Sequence, residues 1–164
     1  MKDLIRRALS VTDALDRLQP LVLLAARLYV AFIFFRSGTI KLEDWSGTLA
    51  LFHDEYTVPL LPPTLAAYIG TFGELFFPIL IVLGLAGRLG AAGLFMVNVM
   101  AVVSYPQLFG FECPAGLQMH YTWGAILGAL VVFGPGLISL DTLVLNRFGL
   151  RRGLARGRIA AAAG

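Results

Sequence analysis

Four long apolar runs, almost free of charge, constrain this chain more than any other feature. They cover Leu21–Ser37, Leu65–Gly87, Leu89–Tyr105 and Tyr121–Leu140, and each approaches the ~17–25 residues a helix needs to cross a bilayer. An open sheet would leave backbone groups unpaired in lipid, so the runs are read as helices. Pro20, Pro63, Gly87-Arg88 and Pro106 punctuate their boundaries. Arg27 and Glu74 carry charge inside a run, and Arg36 stands at the edge of the first.

Composition agrees. Of 164 residues, 58% are hydrophobic and 14% charged, where a soluble domain carries ~25% charged residues. Thirteen Lys/Arg and ten Asp/Glu cannot cover the surface of a soluble domain of this size. That excludes a soluble enzyme, a disordered tail and a nucleic-acid module. The single cysteine, Cys113, excludes an internal disulfide, a CxxC pair and any multi-thiolate zinc or iron–sulfur site. Asp3, Asp13, Asp16 and Arg17 leave no signal-peptide core in residues 1–19, and the first apolar run reads as a retained span.

The basic residues set the expected orientation. Lys2, Arg6, Arg7, Arg17, Arg88, Arg147, Arg151, Arg152, Arg156 and Arg158 fall on one side of a four-span topology, against Lys41 in the other loops. Both termini are therefore expected on the cytoplasmic side. The 38–64 and 106–120 connections then form the outer face, and the tight turn at 85–88 makes the second and third spans an antiparallel hairpin. Leu4, Ala8, Val11, Leu15 and Leu18 recur at helical steps with charges between them. Residues 1–19 are thus expected as an amphipathic interfacial helix before Pro20 turns the chain inward. The expected fold is an all-α membrane protein, an antiparallel four-transmembrane-helix bundle over 20–145 with a basic cytoplasmic tail at 146–164.

Ionisable groups inside a span are functional candidates by default. At ~1.5 Å rise per residue, Arg27 and Glu74 differ by ~6 Å in depth, which an arginine side chain bridges, and Asn98 lies close to the depth of Glu74. Arg27, Glu74 and Asn98 form the expected buried polar core. It is either a neutralised knot that fixes helix packing or a proton-handling or ligand-contacting site. An outer-face polar group gathers Arg36, Lys41, Glu55 and His120, with Glu43, Asp44, Trp45, His53, Asp54, Tyr56, Glu112 and Cys113 nearby. Two histidines and one cysteine, without helical spacing between them, do not make a metal site unless outer carboxylates complete it. His120 is expected to cap the fourth helix, His53 to lie in a loop, and Trp45, Tyr56, Tyr121 and Trp123 to form an interfacial belt. Gly124-Ala-Ile-Leu-Gly128 is a GxxxG step, suited to the bundle interior or to a homodimer. Gly134-Pro135-Gly136 should bend or end the fourth helix. No nucleotide loop, Ser-His-Asp set or dinucleotide fingerprint occurs.

Three stretches carry a resemblance: FFRSGTIKLEDW after the first span, GELFFPILIVLGLAGRLGA across the hairpin, and HYTWGAILGALVVFGPGLISLD near the end. Together they resemble the DoxX family over about residues 21–145. The run LEDWSGTLALFHDEYTVPLLPPTLAAYIGTFGEL is similar to the subgroup encoded beside copper-responsive, oxazolone-type peptide modification systems. The resemblance implies a four-helix bacterial inner-membrane protein, with relatives in thiosulfate:quinone oxidoreductase and in a membrane complex of thiol and oxidative stress. It maps the family's recurring polar positions onto Arg27, Lys41, Glu74, Arg88 and His120.

Two functional readings follow. The first is an accessory or quinone-contacting subunit of a redox or stress-response system, since a quinone site needs an apolar slot and one or two hydrogen-bonding groups. Glu74 and Asn98 are its expected contacts, and no covalent cofactor is expected. The second is a non-enzymatic membrane partner that anchors, exports or stabilises a secreted metal-binding modified peptide, motivated by the acidic outer loop. A small-solute channel is the weakest option, because four helices leave little room for a pathway.

Overall fold

The computed structural model describes residues 2–110 and 114–148, with side chains from residue 15 onward except at 114. The described residues form α1 (Lys2–Glu43), α2 (Trp45–Asp54), α3 (Pro63–Leu83), α4 (Gly87–Ser104), a 3-10 turn (Pro106–Phe109), α5 (Pro114–Phe133) and α6 (Leu140–Arg147), and no strand. Four segments are long and apolar enough to cross a membrane: Leu15–Glu43, Pro63–Leu83, Gly87–Ser104 and Ala115–Phe133. The chain is an all-α, multi-pass membrane protein.

Three boundaries differ from expectation. Residues 2–19 are helical, but they are the first half of α1 and not a separate helix, and Pro20 lies inside it. Proline withholds one N–H from the ladder, and the turns on either side hold the helix together across that gap. At the other end α1 runs past Ser37 to Glu43, and Asp44 alone separates it from α2, so much of the 38–64 connection is helical. Hydropathy falls at Arg36–Lys41, yet Gly38 is buried there against Leu75 and Glu74, so tertiary contact sustains the helix. Finally, the fourth span starts at Pro114 and ends at Phe133. Proline suits a first helical turn, and Gly134 (φ +81°), Pro135 and Gly136 (φ +80°) stop the helix. The expected boundary between bundle and tail at 145/146 falls within α6, and residues 149–164 lie outside the described residues.

Packing follows the apolar stripes. Val30, Ala31 and Phe34 of α1, Ile81 of α3, Ala91 and Leu94 of α4, and Leu127 and Leu130 of α5 form one buried cluster. A second joins Phe52 of α2 to Ala66 and Ala67 of α3. Exposed Phe32, Phe72, Leu89 and Val132 suit a surface solvated by lipid rather than water. Gly124 packs inward, 3.3 Å from the Asn98 amide for an added Cβ, whereas Gly128 faces open space within 4 Å. Half of the GxxxG step therefore serves the bundle.

The two ends of the bundle differ. At the terminus-bearing end, Gly84 (φ +63°) closes α3 and its N–H bonds back to Ile81 and Leu80. A side chain here would meet Ser139 Cβ at 2.5 Å and the Arg27 guanidinium at 2.7 Å, so both conformation and space require glycine. Ala86 (φ +47°) takes a left-handed conformation that costs about 1 kcal/mol for a non-glycine residue. Asp141 offsets this by accepting from the N–H groups of Ala86 and Gly87 at 2.8 Å each, so its carboxylate caps α4 from across the bundle. We expect Asp141→Ala to lower stability by about 1–2 kcal/mol. Asp141→Asn keeps one acceptor oxygen and should lose about half of that. Thermal unfolding in detergent measures both, and an unchanged midpoint for Asp141→Ala would contradict the cap.

Candidate functional site

The expected polar core separates into three groups. Gly38 sits level with Glu74, an added Cβ lying 3.2 Å from the Glu74 Cβ. Arg27 precedes Gly38 by eleven residues, or ~16 Å along the helix axis, and therefore lies far from Glu74. It is 2% exposed and donates to Ile81 O (2.7 Å), Val82 O (2.6 Å), Pro135 O (2.8 Å) and Ile138 O (2.6 Å). Two of these carbonyls end α3 and two follow α5. The guanidinium thus satisfies orphan acceptors at a helix C-terminus, where positive charge is favoured.

Glu74 pairs instead with Lys41. The Lys41 ammonium lies 2.9 Å and 2.7 Å from the two carboxylate oxygens and 2.9 Å from Ser37 Oγ, so its three hydrogens are all engaged. The two side chains are 19% and 10% exposed. Side chains on a helix point toward its N-terminus, which carries Lys41 from near the end of α1 inward to Glu74. Pro78, four residues after Glu74 inside α3, withholds the N–H that would bond the Glu74 carbonyl.

Asn98 bonds His120. The Asn98 amide nitrogen donates to the His120 carbonyl (3.0 Å), and its oxygen lies 2.8 Å from Nδ1 of the ring. A carbonyl can only accept, so the amide nitrogen must face it and the amide oxygen must face Nδ1. Nδ1 therefore carries the proton, and Nε2 of the neutral ring is a bare acceptor. His120 lies inside α5 rather than at its start, and packs edge-on against Trp123 at 4.9 Å.

Beside the Lys41–Glu74 pair and His120 lies a cavity of about 380 Å³, within the range of small-molecule sites. Ser37, Lys41, Glu74, His120 and Ser104 supply its polar wall, and Phe52, Tyr56, Tyr105, Met96 and Met100 much of the rest. Phe52, Tyr56 and Tyr105 form a chain of edge-to-face rings at 4.9 and 5.2 Å. Burial, then the neighbouring Tyr105 and Glu74, push the Tyr56 phenol up, so it stays a neutral O–H. Among the described residues, Thr71 and Ser104 have buried hydroxyls without a hydrogen-bond partner, and Ser104 lines this cavity. Ile69 of α3 and Met96 of α4 border it while being half-exposed on the outer, lipid-facing surface.

The outer-face group also divides. Lys41 and His120 line the cavity, whereas Arg36 and Glu55 are exposed and stand apart from it. His53 lies in the last turn of α2 rather than in a loop, its Nε2 3.0 Å from Thr64 Oγ1. Asp44, which caps α2, has its carboxyl held below the ordinary range by the Gly47 N–H and the Ser46 hydroxyl. Glu112 and Cys113 lie outside the described residues. Among the described residues no three His, Cys, Asp or Glu gather as a metal site would require. Sequence reasoning missed Ser37, Ser104 and Tyr105 and the Lys41–Glu74 pairing. The spacing of Ser37 and Lys41, four apart on a continuing helix, was the signal that could have found the pair.

Comparisons agree with this architecture. The DoxX family profile matches residues 22–107, which include α1 from its membrane part through α4, Arg27, Lys41 and Glu74 among them. An uncharacterized protein of Haemophilus influenzae is 32% identical over 127 residues, 74% of this chain and 82% of that protein. No solved structure matches the chain. With three of the four spans, the hairpin, Arg27, Lys41 and Glu74 inside the matched region, this chain belongs to the DoxX family.

Proposed function

We propose that this DoxX-family chain is a membrane subunit of a redox or stress-response system, and that its cavity receives the ring of a lipid-dissolved quinone or quinol. The observation that carries this reading is an apolar, aromatic-lined cavity walled by a charged pair and bordered by lipid-facing Ile69 and Met96. A ligand with a polar ring and an isoprenoid tail fits such a site: the ring meets Tyr, Met and hydroxyl groups, and the tail stays in lipid. Asn98 then acts by holding His120, while Glu74 contacts the ligand directly. Exposed Arg17, Arg88 and Arg147 at the terminus-bearing end support a cytoplasmic placement of that end in a bacterial inner membrane, with the cavity toward the outer side.

Titration of decylubiquinone and decylubiquinol into the purified protein tests this. We expect micromolar binding of at least one redox form, weakened tenfold or more in Glu74→Ala. Binding of neither form, to the protein alone or in its native complex, would overturn the proposal. The exposed carboxylates Glu43, Asp44, Asp54 and Glu55 around α2 favour the second reading, a non-enzymatic partner for a secreted metal-binding modified peptide. Co-purification of such a peptide or its modifying enzyme, without redox turnover, would select it.

A further inference from the structure

The polar wall of the cavity is unbalanced between donors and acceptors. Among the described residues Lys41 is the one cation lining it, and its three hydrogens are spent on Glu74 and Ser37. Each carboxylate oxygen of Glu74 accepts one of those bonds and retains capacity for another. His120 lines the same cavity with Nδ1 committed to Asn98, which leaves Nε2 as an acceptor. Ser104, 3% exposed and without a partner among the described residues, and the hydroxyls of Ser37, Tyr56 and Tyr105, which line the same cavity, each carry a proton to donate and a lone pair to accept, and so do not discriminate.

We propose that the cavity selects the hydroquinone form of its ligand over the quinone form. This rests on the reading above and adds a redox preference to it. A quinone presents two carbonyl acceptors, which Glu74 and neutral His120 cannot satisfy. A hydroquinone presents two O–H donors, one for the spare lone pairs of Glu74 and one for His120 Nε2 or Ser104. Bonds to an ionised carboxylate are about twice as strong as neutral ones, so the charged group decides the preference. A quinone's best partner, the Lys41 ammonium, is withheld by the ion pair itself. The aromatic and thioether lining is indifferent to redox state and serves both forms equally.

The test is the ratio of dissociation constants for decylubiquinol and decylubiquinone on the full-length protein, the former measured anaerobically. The gain of one charge-assisted hydrogen bond predicts a tenfold or larger preference for the quinol. For a two-electron couple that ratio raises the midpoint potential of the bound ligand by about 30 mV, which a redox titration reads independently. Glu74→Gln supplies an amide N–H donor in place of a carboxylate oxygen and should abolish the preference for the quinol or reverse it. Equal or tighter binding of the quinone to the unaltered protein overturns this inference and leaves the ligand reading intact. Binding of neither form overturns the ligand reading itself. Because the ratio is read on the unaltered protein, the inference stays testable even if Glu74→Gln fails to fold.

Discussion

Arg27→Ala is expected to cost about 4 kcal/mol of stability, the largest effect of any single substitution discussed. The guanidinium holds four backbone carbonyls together, at the end of α3 and after α5. Each acceptor left without a partner in a site closed to water costs about 1–3 kcal/mol, and partial relaxation offsets some of the sum. Arg27→Lys should recover little. An ammonium carries the charge but lacks the planar fork that reaches carbonyls on two segments at once. A Cβ added at Gly84 would lie 2.7 Å from the guanidinium, so the local backbone is shaped around this side chain. Thermal or denaturant unfolding in detergent measures the effect. A lysine variant as stable as the unaltered protein would contradict the account of Arg27 as a multidentate staple.

Lys41 and Glu74 should behave differently, because here two side chains neutralise each other. Lys41→Met and Glu74→Leu are each expected to destabilise by about 2 kcal/mol, less than the 3–5 kcal/mol of a fully buried pair because water and lipid head groups reach this one in part. The double replacement should lie within about 1 kcal/mol of the unaltered protein, since it removes both desolvation costs together. Additive losses would show that the two charges act independently. Binding should follow another pattern. Both Glu74→Leu and the double variant lose the acceptor wall, so the restored stability of the double variant should not restore ligand affinity. That split separates the structural role of the pair from its role at the cavity.

Much of the fold was legible because lipid imposes simple rules. Four apolar helices and the Gly134-Pro135-Gly136 stop appear as composition and backbone preference imply, while the hairpin turn falls at Gly84–Ala86 rather than 85–88 and the fourth span lies about seven residues earlier than its apolar run. The ends of α1 were less legible. Proline at position 20 reads as a turn, and the polar FRSGTIK stretch as the end of a span, yet neighbouring turns and the contact of Gly38 with α3 carry the helix through. The site was half legible. Arg27, Glu74 and Asn98 are all buried, but their partners were not visible in an inventory of charged side chains. Arg27 is satisfied by backbone carbonyls, which no side-chain pattern reveals, and Asn98 by a histidine that span arithmetic had placed at a helix start. Lys41 stood apart from Glu74 only while the first helix was taken to end at Ser37. Ser104 and Tyr105 gain meaning from the cavity they line, and a cavity is a property of packing alone.

On the reading proposed above, this cavity, rather than the polar groups as such, is the ligand site. Ala101 lines it from α4 without any polar role, and Ala101→Phe would fill the space with a ring. Filling an open cavity strains the fold less than overpacking a closed core, so the variant should unfold within a few degrees of the unaltered protein. Isothermal titration of decylubiquinol into that folded variant is the most direct measurement. The account predicts affinity reduced by tenfold or more, while affinity equal to that of the unaltered protein would contradict it.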